Sequence, residues 1–531
     1  MKEQNLLVST LLLTATSFFT RTIGMISSIY LSRILGTEGM GIYELVMSIY
    51  MTAIILASAG LCVTVSRMIA EALGAGNKHH ISHIMKVAFS FGLVTSLTAS
   101  SLLFIFASKL SLFFIHDTHA TLGLRLLSFS IPFMTCSSCL KGYFYANKKT
   151  IFPASADIIE QIIKVILLIS LTRFYVSSSI TYTYGAIGLG LTIGEIVSWS
   201  YMLSLFFVDR KHHKNLNGKA PSKIKLLMKL LSILLPIACI SYLSCILLSI
   251  ENTLIPAGLR QYNGNYSESM SLFGMIKGMV IPILCFPAAF LTAFSTTLIP
   301  EIAKANVLKL KKRVTYTTSR VLQLTFILSI FVVSVFINYG NELGFILYKS
   351  EEVGPLLQRL SLVIPFIYVE TIADGILKGL NQQVSCLRYS IFDSIIRVML
   401  IYFLLPIKGV NAFIGITMLS CIFTSTLNFN KLLETTHLKL KLTNWILKPA
   451  VASAFAGCYS RLIINRLLRY SFGLTTKLFL GLSLSVVLYI PLLFLIQTIS
   501  MEDLSWLKRQ LRALKFSIRT LNNMPHNPTK S

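Results

Sequence analysis

The chain has 531 residues, of which 54% are hydrophobic and only 13% are charged, and it carries a formal net charge of +27. Soluble globular domains contain about 25% charged residues, so this composition excludes a soluble multidomain enzyme and an intrinsically disordered chain. The apolar runs are long and unbroken, which argues against the alternating strands of an outer-membrane barrel. The sequence therefore predicts an all-α polytopic membrane protein, because a helix satisfies its own backbone hydrogen bonds in lipid.

Fourteen apolar segments follow one another along the chain. Each is long enough to cross about 30 Å of hydrocarbon as a helix that rises about 1.5 Å per residue. We predict transmembrane spans at residues 6–32, 40–66, 83–108, 121–145, 154–175, 183–208, 227–254, 270–298, 319–338, 356–380, 387–406, 409–429, 448–465 and 473–498.

Lysine and arginine residues concentrate in every second connection between these spans. The longest basic connection is 209–226, DRKHHKNLNGKAPSKIKL, and the tail 501–531 is also basic. Under the positive-inside rule these segments and both termini are cytoplasmic, so the net charge needs no nucleic-acid partner to explain it. Arg461, Arg466 and Arg469 fall on an outer connection and break this pattern, which makes 448–498 the weakest part of the predicted topology.

An internal repeat relates the two halves of the chain. Residues 127–168 and 360–401 align without a gap at a spacing of 233, with eleven identities in 42 positions. Six spans separate the copies, and an even number makes the halves parallel, related by a rotation of about 180° about the membrane normal. We predict an N-lobe (1–208), a cytoplasmic linker (209–226), a pseudo-symmetric six-helix C-lobe (227–430), two further spans (431–500) and a cytoplasmic tail (501–531).

Several ionisable residues lie inside predicted spans, where each costs about 2.5–3.5 kcal/mol on insertion scales and usually faces a cavity or a partner. Glu44 and Lys277 are 233 residues apart, so the two lobes present opposite charges at equivalent positions. Snorkelling and a static ion pair are the structural alternatives. The residues expected to line a common aqueous cavity are Arg21, Glu44, Glu251, Asn252 and Lys277.

A second set of charges lies deeper toward the predicted cytoplasmic side. Glu160 and Lys164, like Asp393 and Arg397, are spaced i, i+4 with the acid first, the favourable order on a helix. These symmetry-related pairs either brace their lobes or act in gating. Glu370 and Asp374 also share one helix face, and two carboxylates together favour a cation or proton.

The sequence contains none of the motifs that carry nucleotide, zinc or serine-nucleophile chemistry. Its nine cysteines all fall within apolar segments, where packing is their expected role. We therefore expect no enzyme activity, no metal site and no cofactor, and we leave the identity of any coupling cation open.

The opening of the chain carries recognisable motifs. Arg21-x-x-Gly24, then SRILG at 32–36 and Gly39-x-Gly41-x-Tyr43, resemble polysaccharide-biosynthesis flippases of the multidrug/oligosaccharidyl-lipid/polysaccharide superfamily, and the sporulation members most of all. LIPEIA at 298–303 agrees with this. The resemblance covers almost the whole chain and implies two six-helix lobes in a V, two extra helices, and alternating access to a lipid-linked sugar precursor in a bacterial cytoplasmic membrane.

One departure from the family pattern bears on the substrate. Relatives that carry cell-wall precursors have Arg-x-x-Gly-x-x-Arg-Asp in span 1, whereas Ser27 and Ser28 replace the Arg-Asp here. Lys277 stands where such a relative has an arginine, and a lysine binds phosphate as a point charge without the bidentate fork. The cavity is therefore expected to be less basic than in those relatives.

Three functional hypotheses stay open. The leading one is a flippase for an undecaprenyl-pyrophosphate-linked saccharide or peptidoglycan precursor, with the spore cortex as one destination, in which Arg21 and Lys277 hold pyrophosphate. The second is a cation-coupled multidrug exporter that uses Glu251, Glu370 and Asp374. The third is a non-transporting scaffold whose partners are cell-wall synthesis proteins.

The topology is open to a direct test. Reporter fusions after Lys225 and after Lys515 should both read cytoplasmic, because both follow lysine- and arginine-rich segments. A control fusion after Glu352, in an acidic outer connection, should read external. An external signal after Lys225 would contradict the whole register of spans.

Overall fold

The computed structural model describes residues 2–77, 79–175, 180–211, 222–438, 440, 442–467 and 473–499. Regular structure in these ranges is entirely helical, without a strand. The first ten α-helices are α1 (Lys2–Ser58), α2 (Leu61–Gly74), α3 (His80–Leu110), α4 (Ala120–Ser128), α5 (Ser130–Ala146), α6 (Ile151–Tyr175), α7 (Ile180–Lys211), α8 (Lys223–Asn263), α9 (Tyr266–Phe273) and α10 (Ile281–Cys285).

The remaining α-helices are α11 (Ala288–Val307), α12 (Lys311–Tyr348), α13 (Val353–Leu360), α14 (Ile364–Gly379), α15 (Gln383–Thr436), α16 (Lys448–Leu467) and α17 (Leu474–Leu495). Three π-helical segments lie at Ser111–Ile115, Gly274–Val280 and Thr443–Leu447, and a 3-10 turn lies at Ser361–Val363.

Helices lie at the predicted spans. Within the described residues, ten helical segments are long and apolar enough to cross a membrane. Two are long enough for two crossings, Ala15–Gly74 with 60 residues and Gln383–Thr436 with 54. The prediction of an all-α polytopic membrane protein is confirmed, while the count of fourteen spans stays a prediction.

Single glycines break the two longest helices. Gly36 in α1 has φ 69° and ψ −171°, and Gly409 in α15 has φ 56° and ψ −138°. A positive φ of this kind is a conformation that glycine adopts without steric cost. Gly36 falls in the predicted connection between spans 1 and 2, and Gly409 is the first residue of predicted span 12, so each long helix consists of two straight segments.

Contacts divide the chain into two compact units. The first unit comprises residues 19–282 and 394–416, and the second comprises 1–18, 283–393 and 417–531. By these contacts α8 and α9 belong to the first unit, together with α2 to α7. The boundaries of these units differ from those of the lobes that the repeat predicts, 1–208 and 227–430, and the lobes stay a prediction.

The core of the first unit is an apolar cluster contributed by α2, α3, α5, α6, α7 and α8. Leu61, Val65 and Ile69 of α2 are fully buried in it, as are Leu140 and Phe144 of α5. These α2 residues recur at i, i+4 and i+8 and so form one helix face. This packing supports the helices that carry the charged residues described below.

A backbone-to-backbone contact joins α1 to the π segment Gly274–Val280 and to the end of α9. A Cβ on Gly274 would overlap the Thr37 carbonyl oxygen, and a Cβ on Gly41 would overlap the Met270 carbonyl oxygen. Small residues allow such close approach of helices in membranes. Gly41, which belongs to the opening motif, is therefore required by packing.

Substitution at this contact should destabilise the protein. We expect Gly274→Ala to lower the midpoint of thermal unfolding in detergent. The free energy of unfolding should fall by about 1–3 kcal/mol or more, because neither backbone can move aside to make room for the methyl group. Gly415→Ala is the matched control, since nothing lies within 4 Å of a Cβ there. Equal midpoints for the two variants would contradict the close contact.

Candidate functional site: charged residues of the first unit

The π-helical segment Gly274–Val280 carries Lys277. π segments within helices frequently occur at functional sites, because one extra residue in a turn redirects a side chain. Glycines precede and follow the lysine, and a Cβ on Gly278 would lie 2.5 Å from Cγ of Met40. The helix that presents Lys277 thus lies closely against α1.

Glu251 of α8 is the buried centre of a three-residue ion cluster. Its side chain is only 3% exposed. Its Oε1 accepts a hydrogen bond from Nζ of Lys277 at 3.0 Å, and its Oε2 lies 3.1 Å from Nε of Arg397. One carboxylate therefore faces two cations, and the side chains of Lys277 and Arg397 stay 18% and 28% exposed.

Hydrogen-bonding capacity is left over around this cluster. Oδ1 of Asn252 is buried without a hydrogen-bond partner among the described residues, although the amide nitrogen of Asn252 donates to Oγ of Ser48 at 3.1 Å. Nε of Arg397 is paired with Glu251 by charge but is not aligned for a hydrogen bond. Pro256 lies within α8 and has no N–H to offer the Asn252 carbonyl four residues before it. Buried polar groups without partners are costly, and a polar ligand would relieve that cost.

Arg21 lies on α1 and is exposed, with no ion pair or side-chain hydrogen bond to any residue that the structure describes. Ser28, seven residues later, donates its hydroxyl to the Gly278 carbonyl at 2.9 Å. Residues seven apart share a helix face, so Arg21 lies on the face of α1 that meets the Lys277 segment, about 10 Å further along the helix axis.

Glu44 lies on α1 beyond the break at Gly36 and is half-buried. A Cβ on Gly278 would lie 3.5 Å from its Cγ, and the charge of Lys277 acts on its carboxylate. The structure therefore brings all five residues of the expected cavity set into the first unit, on α1, α8 and the π segment. Arg397, assigned to the second set from the sequence, joins them.

The second set of charges is only partly arranged as expected. Glu160 and Lys164 form the predicted i, i+4 pair, with Nζ of Lys164 donating to Oε1 of Glu160 at 2.7 Å. Asp393 and Arg397 do not repeat it: Arg397 contacts Glu251, and Asp393 accepts a hydrogen bond from Oγ of Ser420 at 2.8 Å. Asp393 is buried as well, but it has a hydroxyl donor in Ser420, whereas the buried Glu251 depends on cations for compensation.

Glu195 is a site residue that the sequence reasoning missed. It lies in α7, is 3% exposed, and accepts a second hydrogen bond from Nζ of Lys164 at 2.7 Å. The signal was available, because Glu195 is a carboxylate inside a predicted span. Lys164 thus faces two buried carboxylates, whereas at Glu251 one carboxylate faces two cations.

Glu370 and Asp374 of α14 have different partners. Glu370 accepts a hydrogen bond from Oγ1 of Thr424 at 3.0 Å, whereas Asp374 forms an ion pair with Lys378 at 2.6 Å. Within the ranges described, no group of three or more His, Cys, Asp or Glu side chains could hold a metal ion. Their role in binding a cation stays a prediction.

Comparisons with known proteins agree with the helical membrane fold. Stage V sporulation protein B of Bacillus subtilis (strain 168) is 21% identical over 510 residues, 95% of this chain and 98% of that protein. Lipid II flippase MurJ of the same organism is 23% identical over 407 residues, 72% of this chain and 74% of that protein.

Solved structures show the same fold. A lipid II flippase MurJ in an inward closed conformation matches with a TM-score of 0.67 at 14% identity, covering 91% of this chain and 97% of that chain. An inward-facing multidrug resistance MATE family transporter of the MOP superfamily matches with a TM-score of 0.61 at 15% identity, covering 79% and 96%. These relatives are membrane transporters and not enzymes, as predicted for this chain. The family model described as "Polysaccharide biosynthesis protein" matches residues 6–292, more than half of the sequence, and the chain therefore belongs to that family.

Proposed function

We propose that the protein moves a polyprenyl-pyrophosphate-linked saccharide, such as a peptidoglycan precursor, from the inner to the outer leaflet of a bacterial cytoplasmic membrane by alternating access. One observation carries the proposal. Lys277 and Arg397 converge on the single buried carboxylate of Glu251, while exposed Arg21 lies on the neighbouring face of α1. The site is therefore cationic inside predicted spans.

A pyrophosphate group needs such a site in order to cross hydrocarbon. Transfer of a charged group out of water is very costly unless protein groups replace the lost hydration. Arg and Lys form short, charge-assisted hydrogen bonds with phosphate oxygens. In the absence of substrate Glu251 neutralises part of this charge, and pyrophosphate oxygens could take its place on Lys277 and Arg397.

The relatives support a lipid-linked substrate. One relative is named a lipid II flippase and another a sporulation protein, and together they cover most of this chain. We infer that spore cortex synthesis is a candidate use of the transported precursor, and that cell-wall synthesis proteins are candidate partners. Cytoplasmic placement of both termini belongs to the same proposal.

Removing the positive charge of Lys277 or of Arg21 should impair transport. Lys277→Gln and Arg21→Ala should each lower the flipping of a fluorescent undecaprenyl-pyrophosphate disaccharide in reconstituted vesicles by about tenfold or more, because each removes a charge-assisted hydrogen bond. Lys277→Arg, which keeps the charge, should retain activity. Lys431→Gln removes a half-buried lysine that pairs with exposed Glu434 outside the ion cluster, and this variant should behave as the unsubstituted protein.

The same assay separates the competing functions. If Arg21→Ala and Lys277→Ala both transport normally at equal reconstitution, the pyrophosphate site is wrong and the scaffold hypothesis gains. The exporter hypothesis needs carboxylates that are available to an amine, yet Glu251 faces two cations and Asp374 faces Lys378. Gradient-driven uptake of an organic cation, lost in Glu251→Gln and without lipid flipping, would establish the exporter instead.

We further propose that Glu160, Lys164 and Glu195 brace α6 against α7 and do not gate. Lys164→Met alone should destabilise the protein by about 3–5 kcal/mol, because it leaves two buried carboxylates without their cation. The triple variant Glu160→Gln, Lys164→Met, Glu195→Gln should recover most of the thermal unfolding midpoint and should transport. A triple variant that folds but does not transport would assign the cluster to gating or ion coupling.

A further inference from the structure

A groove of about 810 Å³ lies between α1, α3 and α8 of the first unit, and its lining does not include Glu251, Lys277 or Arg397. Its walls are mostly aliphatic and aromatic, including Leu45, Leu102, Phe106 and Ile250. Along α1 it extends from Leu45 to Leu56, about 17 Å of helix, which is about half of a 30 Å hydrocarbon core. Its length therefore corresponds to one leaflet.

The hydroxyl groups that line this groove are already satisfied within the protein. Thr52 and Thr253 donate to the carbonyls of Ser48 and Ser249, at 2.8 and 2.9 Å. Thr95 donates to the Ala57 carbonyl at 2.9 Å. Because such side-chain-to-backbone bonds consume the donors, the groove offers an apolar chain no unmet polar group.

The groove continues into a second, smaller cavity with a cationic rim. This cavity has a volume of about 370 Å³ and shares Phe114 and Thr253 with the groove. Arg260 of α8 lines it, six residues beyond Leu254 and thus about 9 Å further along the helix. Its guanidinium lies 5.9 Å from the centre of the Tyr266 ring.

The cations near this end are available to an anionic ligand. Arg260 and Lys109 are exposed, and among the residues described neither has an ion-pair partner. Two acids, Asp117 and Glu38, lie near Tyr266, but among the described residues neither forms an ion pair with Arg260 or Lys109. Asp117 accepts a hydrogen bond from the backbone N–H of His119 at 2.8 Å, and Glu38 accepts one from Ser267 at 2.6 Å.

We propose that this groove binds an anionic glycerophospholipid of the outer leaflet, with its acyl chains between α1, α3 and α8 and its phosphate on Arg260. The chemistry matches at both ends, since the walls suit alkyl chains and an arginine suits a phosphate. A net negative headgroup is favoured over a zwitterionic one because Lys109 adds a second positive charge. The groove shares no lining residue with the ion cluster at Glu251, and the proposal does not depend on the transported substrate.

Photo-crosslinking in lipid nanodiscs tests the site. The probe is a phosphatidylglycerol with a diazirine halfway along one acyl chain, compared with a phosphatidylcholine of the same chains. Labelled peptides from residues 95–114 and 246–254 should be about tenfold more abundant with phosphatidylglycerol, as expected for charge-assisted binding. Arg260→Gln should reduce labelling by both lipids, because both carry the phosphate, and Lys109→Gln should reduce phosphatidylglycerol labelling to the phosphatidylcholine level.

Two further variants keep the test decisive. Arg173→Gln removes another exposed arginine, which lies outside the groove at the end of α6 that is predicted to face the same side of the membrane as Arg260. This variant should leave labelling unchanged. Ala99→Trp fills the groove and should abolish labelling by both probes. Equal labelling by the two lipids, or labelling elsewhere, would overturn the proposal. Displacement by undecaprenyl phosphate at a lower mole fraction than unlabelled phosphatidylglycerol would also overturn it, in favour of a carrier lipid.

Discussion

The buried carboxylate of Glu251 is the constraint on which the rest of the site depends. A charge that is removed from water must be compensated nearby, and two cations from different helices supply that compensation. Their convergence fixes the positions of α8, the π segment and the portion of α15 at residues 394–416 relative to one another within the first unit. It also keeps Lys277 and Arg397 inside predicted spans, where neither would lie without a counter-charge.

The arrangement at Lys164 follows the same rule with the signs exchanged. There one lysine compensates two carboxylates, and all three side chains are largely buried. The first unit therefore contains one cluster with excess positive charge and one with excess negative charge. The cluster at Glu251 is assigned to a ligand because its excess charge is positive and because Oδ1 of the adjacent Asn252 is buried without a hydrogen-bond partner among the described residues.

Much of this could be predicted from the sequence, because a charged residue in an apolar run is conspicuous and hydrocarbon thickness sets helix length. Arg21, Glu44, Glu251, Asn252 and Lys277 were identified in this way. Partners were harder to predict, because they lie on helices that are distant in sequence: Arg397 was assigned to Asp393, and Glu195 was overlooked. The π segment at Lys277 leaves no mark in hydropathy, since it continues an apolar stretch and differs only in its hydrogen-bond spacing.

The ion cluster at Glu251 has an electrical consequence for a substrate that crosses with its charge. Glu251, Lys277 and Arg397 belong to the protein, so the charge that traverses the whole membrane is that of the headgroup alone. A membrane voltage that is negative inside contributes about 2.3 kcal/mol per elementary charge per 100 mV. It drives an anionic headgroup outward, so the voltage itself can supply work for export, and the demand on any coupling cation is correspondingly smaller.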